Sequence, residues 1–134
     1  MTAKARSLLP RDKFDVDAVR AIAAAGYPAI APILQELVGW TADGNWPIAR
    51  PLAEYLVTLG DPMVAPISRV LRGGDGSHKE NCIRLIVRHL PLDTLGRLEG
   101  DLRRLADEPS EDDRREEADI AARGALARLE GQDQ

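Results

Sequence analysis

Two tryptophans, Trp40 and Trp46, flank a short segment that also holds Asp43 and Asn45, in a chain with only five aromatic residues. Large rings beside polar anchors are what a recognition patch uses, since aromatic side chains supply contact area at low entropic cost. The same residues also suit packing. A tryptophan before a proline at a helix start wedges between helix pairs, and Asn45 is placed to cap the helix that Trp46 and Pro47 open. A second group is Lys79, Arg84 and Arg88, with the two arginines four apart on one helix ridge. Guanidinium groups at that spacing suit an anion or an acidic patch on a partner, or simply a solvated helix face.

Other reactive types do not form a constellation. His78 and His89 fall at opposite ends of one expected helix, too far apart to share a metal, and Cys82 borders the apolar stripe of that helix as a small buried hydrophobe. The sequence has no Gly-x-Ser-x-Gly, phosphate loop, dinucleotide fingerprint or His-Glu-x-x-His. Gly73-Gly74-Asp75-Gly76 follows an expected helix where a phosphate cradle needs a strand, and reads as a linker. No catalytic residue, metal site or cofactor is expected.

The elements that must position these residues are helical throughout. Ile30, Ile33, Leu34 and Leu37 repeat at i, i+3, i+4, i+7, as do Ile83, Ile86, Val87 and Leu90. Met63, Val64, Ile67, Val70 and Leu71 form another stripe, and so do Ala118, Ala121, Ala122, Ala125, Leu126 and Leu129. The spacing predicts seven helices, over about 15–25, 28–39, 46–59, 62–72, 78–90, 92–107 and 110–130. Short connections make consecutive helices antiparallel. Boundary chemistry agrees: Asp61-Pro62 reads as an N-cap with proline at the first helical position, and Ser77 with Glu80 has capping-box spacing. Ser110 followed by Glu111, Asp112 and Asp113 puts negative charge at a helix N-terminus, and Gly26 and Gly60 sit where helices should stop.

Gly26-Tyr27-Pro28-Ala29-Ile30-Ala31-Pro32-Ile33 overlays Gly60-Asp61-Pro62-Met63-Val64-Ala65-Pro66-Ile67 with five of eight residues identical, at a period of 34. Ala49, Leu52 and Leu56 precede Ile83, Ile86 and Leu90 by the same interval. Two helices per period predict a short α-solenoid of two clear units and a degenerate third, each pair burying its apolar face on the next.

These Gly-x-Pro and Pro-Ile helical pairs resemble HEAT-type repeats. More narrowly, Leu8 to Asp15 (LLPRDKFD), Gly26 to Ile30, Asn45 to Ala49 (NWPIA), Gly60-Asp61-Pro62 and Leu90-Pro91 resemble a small bacterial family of uncharacterised HEAT-like domains, over about residues 7–129. The resemblance implies an all-α HEAT-like solenoid and carries no catalytic residues. The glycine-rich 73–77 loop departs from it.

One domain is expected over residues 1–134, with an ordered core at 7–130 and a tail at 131–134. At this length a single core suffices without covalent staples, and one cysteine excludes an internal disulfide. LLPRDKFD reads as a cap with Leu8, Leu9 and Phe14 buried and Arg11, Asp12 and Lys13 exposed. No apolar run approaches a membrane span, so a soluble cytoplasmic protein is expected. Net charge is −4, unevenly spread: residues 1–106 carry 14 basic and 12 acidic side chains, and 107–134 carry 4 and 10. The expected function is a non-enzymatic module binding another protein, an immunity or regulatory partner among the forms it could take, with Trp40, Asp43, Asn45, Trp46, Lys79, Arg84 and Arg88 as candidate contacts. The alternative is nucleic-acid binding through Arg84, Arg88, Arg97, Arg103 and Arg104, which the acidic segment and scarce aromatics oppose.

Overall fold

A computed structural model describes residues 2–131, and within them every regular element is helical. Ten α-helices follow in order: α1 (Thr2–Arg6), α2 (Asp17–Ala25), α3 (Leu34–Gly39), α4 (Ala49–Val57), α5 (Val64–Leu71), α6 (Gly76–Leu85), α7 (Leu92–Gly96), α8 (Glu99–Asp107), α9 (Glu111–Arg115) and α10 (Ala118–Leu129). Three single 3-10 turns accompany them, at Ala31–Ile33, Asp61–Met63 and Val87–His89.

The prolines explain two of those turns. Pro32 and Pro62 lie inside the 3-10 turns that lead into α3 and α5, and Pro66 falls in the first turn of α5, where no N–H is owed to a carbonyl. Gly26 and Gly60 both stand at φ 70°, the left-handed region that other residues rarely adopt, although the turns that follow differ, since only Tyr27-Pro28 is a cis peptide.

The expected seven helices divide further. The 92–107 segment bends at Arg97 and Leu98, giving α7 and α8, and the 110–130 segment breaks at Glu117, which takes a left-handed φ of 63°. That break has a packing cause: α9 is tied to α6 while α10 runs along α8 and α6. α1 lies ahead of the expected core boundary at residue 7. So short a helix is not stable in isolation, and α1 is held by tertiary contact: Ala5 is buried, and Arg6 pairs with Glu36 at 3.0 Å. The expected tail at 131–134 lies outside the described residues beyond Gly131.

Packing places the helices in two rows. α2 touches α4, α4 touches α6 and α6 touches α10; on the other side α3 touches α5 and α5 touches α8. The core between the rows is aliphatic: Ile22, Ile33, Leu37, Leu52, Leu56, Ile67, Ile83, Ile86 and Leu102 are fully buried. Leu8 and Leu9 pack against it as expected of a cap. Phe14 does not: it is 65% exposed, with the Lys13 ammonium 5.4 Å from its ring centroid, while the backbone beside it is tied to the core by the Ile48 N–H donating to the Lys13 carbonyl at 3.1 Å.

Four polar bonds between separate helices fall near the 34-residue interval seen in the sequence. Ser68 Oγ donates to Asp101 at 2.6 Å, Thr94 Oγ1 to Asp61 at 2.7 Å, Lys79 Nζ to Asp113 at 2.8 Å and Arg69 to Gln35 at 2.9 Å, each pair 33 or 34 residues apart. Asp61 therefore serves as an acceptor for the following unit and not as the N-cap expected of it; Gly60 holds that position.

Candidate functional site

The first candidate group sits at the turn between α3 and α4. Trp40 and Trp46 are both half-buried against the core, their ring centroids 5.9 Å apart and inclined at 59°. Asp43 accepts from the Asn45 N–H at 2.8 Å, forming a local turn, and Ile48, with no side-chain cap, precedes α4. Asn45 is exposed and does not cap the helix.

The second group begins on α6, and the two are joined by residues the sequence did not single out as a site. The Gly44 N–H donates to Asn81 Oδ1 at 2.9 Å, Asn81 Nδ2 donates to the Ser77 carbonyl at 2.9 Å, and Arg84 Nη2 donates to the same Asn81 oxygen at 2.6 Å. Arg84 Nε also donates to Glu80 at 3.1 Å. A Cβ at Gly44 would lie 2.9 Å from Asn81 Oδ1 and 3.0 Å from Arg84, so a larger residue there would have to displace these two side-chain ends. The available signal was a glycine in a short polar turn, which sequence alone assigns to turn geometry rather than to a neighbour.

Lys79 is corrected as a contact residue. Its side chain is 6% exposed and bonds the 5% exposed Asp113 across 2.8 Å, so the ammonium is committed inside the fold. Burial works against the Asp113 carboxylate, but bonds from Lys79 and from Ser110 outweigh it and hold its pKa below the ordinary carboxylate range. Ser110 and Asp113 form the capping box of α9. At the start of α6 the cap is Asp75, accepting from the His78 N–H at 3.0 Å, in place of the expected Ser77 and Glu80 pair. Gly76 is buried there, its N–H bonded to Asp112 at 2.8 Å, so the last glycine of the expected linker belongs to a packed helix start.

Two open clefts flank Arg84. One, of about 400 Å³ between α4 and α6, is lined by Arg50, Glu54, Val57, Arg84, Leu85 and His89. The other, of about 310 Å³ between α6 and α10, is lined by Glu80, Arg84, Arg88, Glu117, Ile120 and Gly124. Ile120 is 56% exposed at its rim. Cys82 points into the core, where burial pushes its thiol up to about 12, which removes thiolate chemistry near neutral pH.

The five arginines of the alternative reading are not gathered. Arg84 and Arg88 face these clefts, whereas Arg103 and Arg104 stand on α8 in the other row and Arg97 lies between α7 and α8. Arg97 pairs with Asp61 at 3.4 Å, and Arg103 pairs with Glu99 at 2.8 Å and Glu130 at 3.2 Å. Arg104 bonds Asp101, which also accepts from Ser68 and Arg72. Burial opposes ionisation of Asp101, and those donors together hold its pKa below the usual carboxylate value.

Among the described residues no three His, Cys, Asp or Glu side chains converge as a metal site, and no helix is long and apolar enough to cross a membrane. No curated protein matches the chain. A family model described as a domain of unknown function, DUF5071, matches residues 8–126, most of the chain and all of the run that holds the LLPRDKFD, NWPIA and Gly-Asp-Pro segments. With that match covering most of its length, the chain belongs to the DUF5071 family of domains of unknown function.

Proposed function

We propose that the chain is a non-enzymatic, HEAT-like helical-repeat module that binds another protein on the row formed by α2, α4, α6 and α10. The observation that carries the reading is the pair of clefts on either side of Arg84, where opposite charges alternate around apolar floors. Complementarity of that kind sets partner choice and register. Arg88 and Ile120 give one cleft a cation beside an exposed aliphatic side chain. Four bonds between separate helices span 33 or 34 residues, an interval that supports the solenoid description, in which each unit docks on the next.

Nucleic-acid binding draws less support. Three of the five arginines it needs are paired with carboxylates away from these clefts, and a continuous cationic track is what phosphate binding uses. Affinity capture with the wild-type chain and with Arg88→Glu/Ile120→Asp tests the reading. A partner held by the wild type and lost by the folded variant supports it; a partner retained equally overturns it. An immunity role would add that the captured protein is toxic when expressed without this chain.

A further inference from the structure

We infer that the cleft between α4 and α6 receives a carboxylate side chain from an acidic segment of the partner protein, clamped between Arg50 and Arg84. The inference rests on the interaction reading and names the chemistry of the partner. Arg50 stands in the first turn of α4 and Arg84 in the last turn of α6, on successive helices of one row. Helices packed side by side stand roughly 8–10 Å apart, a distance that two arginine side chains span from either side. Both line the cleft.

The donors are available. Arg50 has no carboxylate partner among the described residues. Arg84 spends Nε on Glu80 and Nη2 on Asn81, and its Nη1 carries no bond among the described residues. Guanidinium groups present planar pairs of N–H donors that match a carboxylate. The floor of Ala53, Val57 and Leu85 is apolar and suits the methylene stem of a glutamate. Glu54 lines the same cleft and Glu80 adjoins it, so positive charge is confined to the position between the arginines and does not extend as the continuous cationic track that a phosphate backbone uses. Charge complementarity therefore favours an acidic protein segment over nucleic acid.

Occupancy has a built-in reporter. Arg84 shares Asn81 with the Gly44 N–H, and Gly44 lies in the turn between Trp40 and Trp46, the chain's two tryptophans. A ligand that draws on Arg84 alters the hydrogen bond anchoring that turn.

The experiment titrates the full chain with an oligo-glutamate peptide, an oligo-lysine peptide and a duplex DNA oligonucleotide, following tryptophan emission and heat of binding. The expected result is binding of oligo-glutamate with a change in emission, and loss of about tenfold in affinity for Arg50→Ala, the equivalent of one charge-assisted bond. Arg50→Lys restores part of that loss, and Arg69→Ala on the opposite row leaves affinity unchanged, with circular dichroism confirming the fold of each. Equal binding by Arg50→Ala, tighter binding of DNA or of oligo-lysine than of oligo-glutamate, or no binding of oligo-glutamate overturns the inference. A captured partner that depends on Arg88 and Ile120 but ignores Arg50→Ala overturns the clamp and leaves the interaction reading standing. Arg50-dependent peptide binding with a captured partner indifferent to Arg88→Glu/Ile120→Asp overturns the reading at that cleft alone.

Discussion

α2 and α6 belong to the same row of helices and are held in opposite ways. α2 buries a single residue, Ile22, and the chain around it leaves Phe14, Val16 and Tyr27 exposed. α6 buries six of its ten, and three of these are polar or backbone anchors: Gly76 to Asp112, Lys79 to Asp113 and Asn81 to Gly44. The cause is position. A helix inside a stack has neighbours on both sides to satisfy its polar groups, whereas the first in a row is covered on one side only. Rigidity therefore accumulates at α6, which is also where the candidate clefts lie, and a site on a well-held element keeps its geometry.

The sharpest way to break this contrast is Asp113→Ala. It leaves the Lys79 ammonium buried without its partner, and urea denaturation should show a loss of about 3–5 kcal/mol. Replacing both residues by Lys79→Met and Asp113→Leu should recover most of that loss, since the apolar pair owes no desolvation. Ile22→Ala is the matching cut at the edge, expected to cost about 2–4 kcal/mol by the same measurement, while Phe14→Ala changes stability by less than about 0.5 kcal/mol.

Glycine substitutions come next in size. At Gly76 a Cβ would lie 2.7 Å from the backbone oxygen of Asp112, so Gly76→Ala should lower stability by about 1–3 kcal/mol. Gly124, inside α10 with open space around its Cβ position, should respond the other way, Gly124→Ala raising stability by about 0.5–1 kcal/mol in thermal melts.

The smallest effect is in pH. Asp101 and Asp113 have folded-state pKa values below the ordinary value of 3.8, so the stability they contribute is complete above that value and is lost as pH falls through the folded-state values. Unfolding free energy measured down this acid range should decline, and Asp101→Asn should flatten the decline.

Much of this architecture was legible in residue spacing. The helical stripes, the Gly-x-Pro turns and the Ser110 cap correspond to described elements, and the inter-unit bonds fall near the 34-residue period. The divisions at Leu98 and Glu117 were not legible, because apolar spacing continues through both and only the different anchors of α9 and α10 impose the second break. Of the candidate contacts, Trp40 and Trp46 pair with each other, and the turn between them shares Asn81 with Arg84 through the Gly44 N–H. Lys79 was misplaced for a simple reason: a lysine near a helix start reads as solvated, and its partner is 34 residues away.

The all-helical character, the positions of the turns and the repeat period follow from the chain alone, since they depend on side-chain spacing and on proline and glycine backbone limits, which act locally. Which charges are spent and which are free was settled by tertiary packing. Lys79, Arg97, Arg103 and Arg104 resemble Arg50 and Arg88 along the chain, yet the first four are each within reach of a carboxylate brought in by a neighbouring turn or unit. Ion pairing depends on distance in space, and the packing of one helix against the next is what sets that distance.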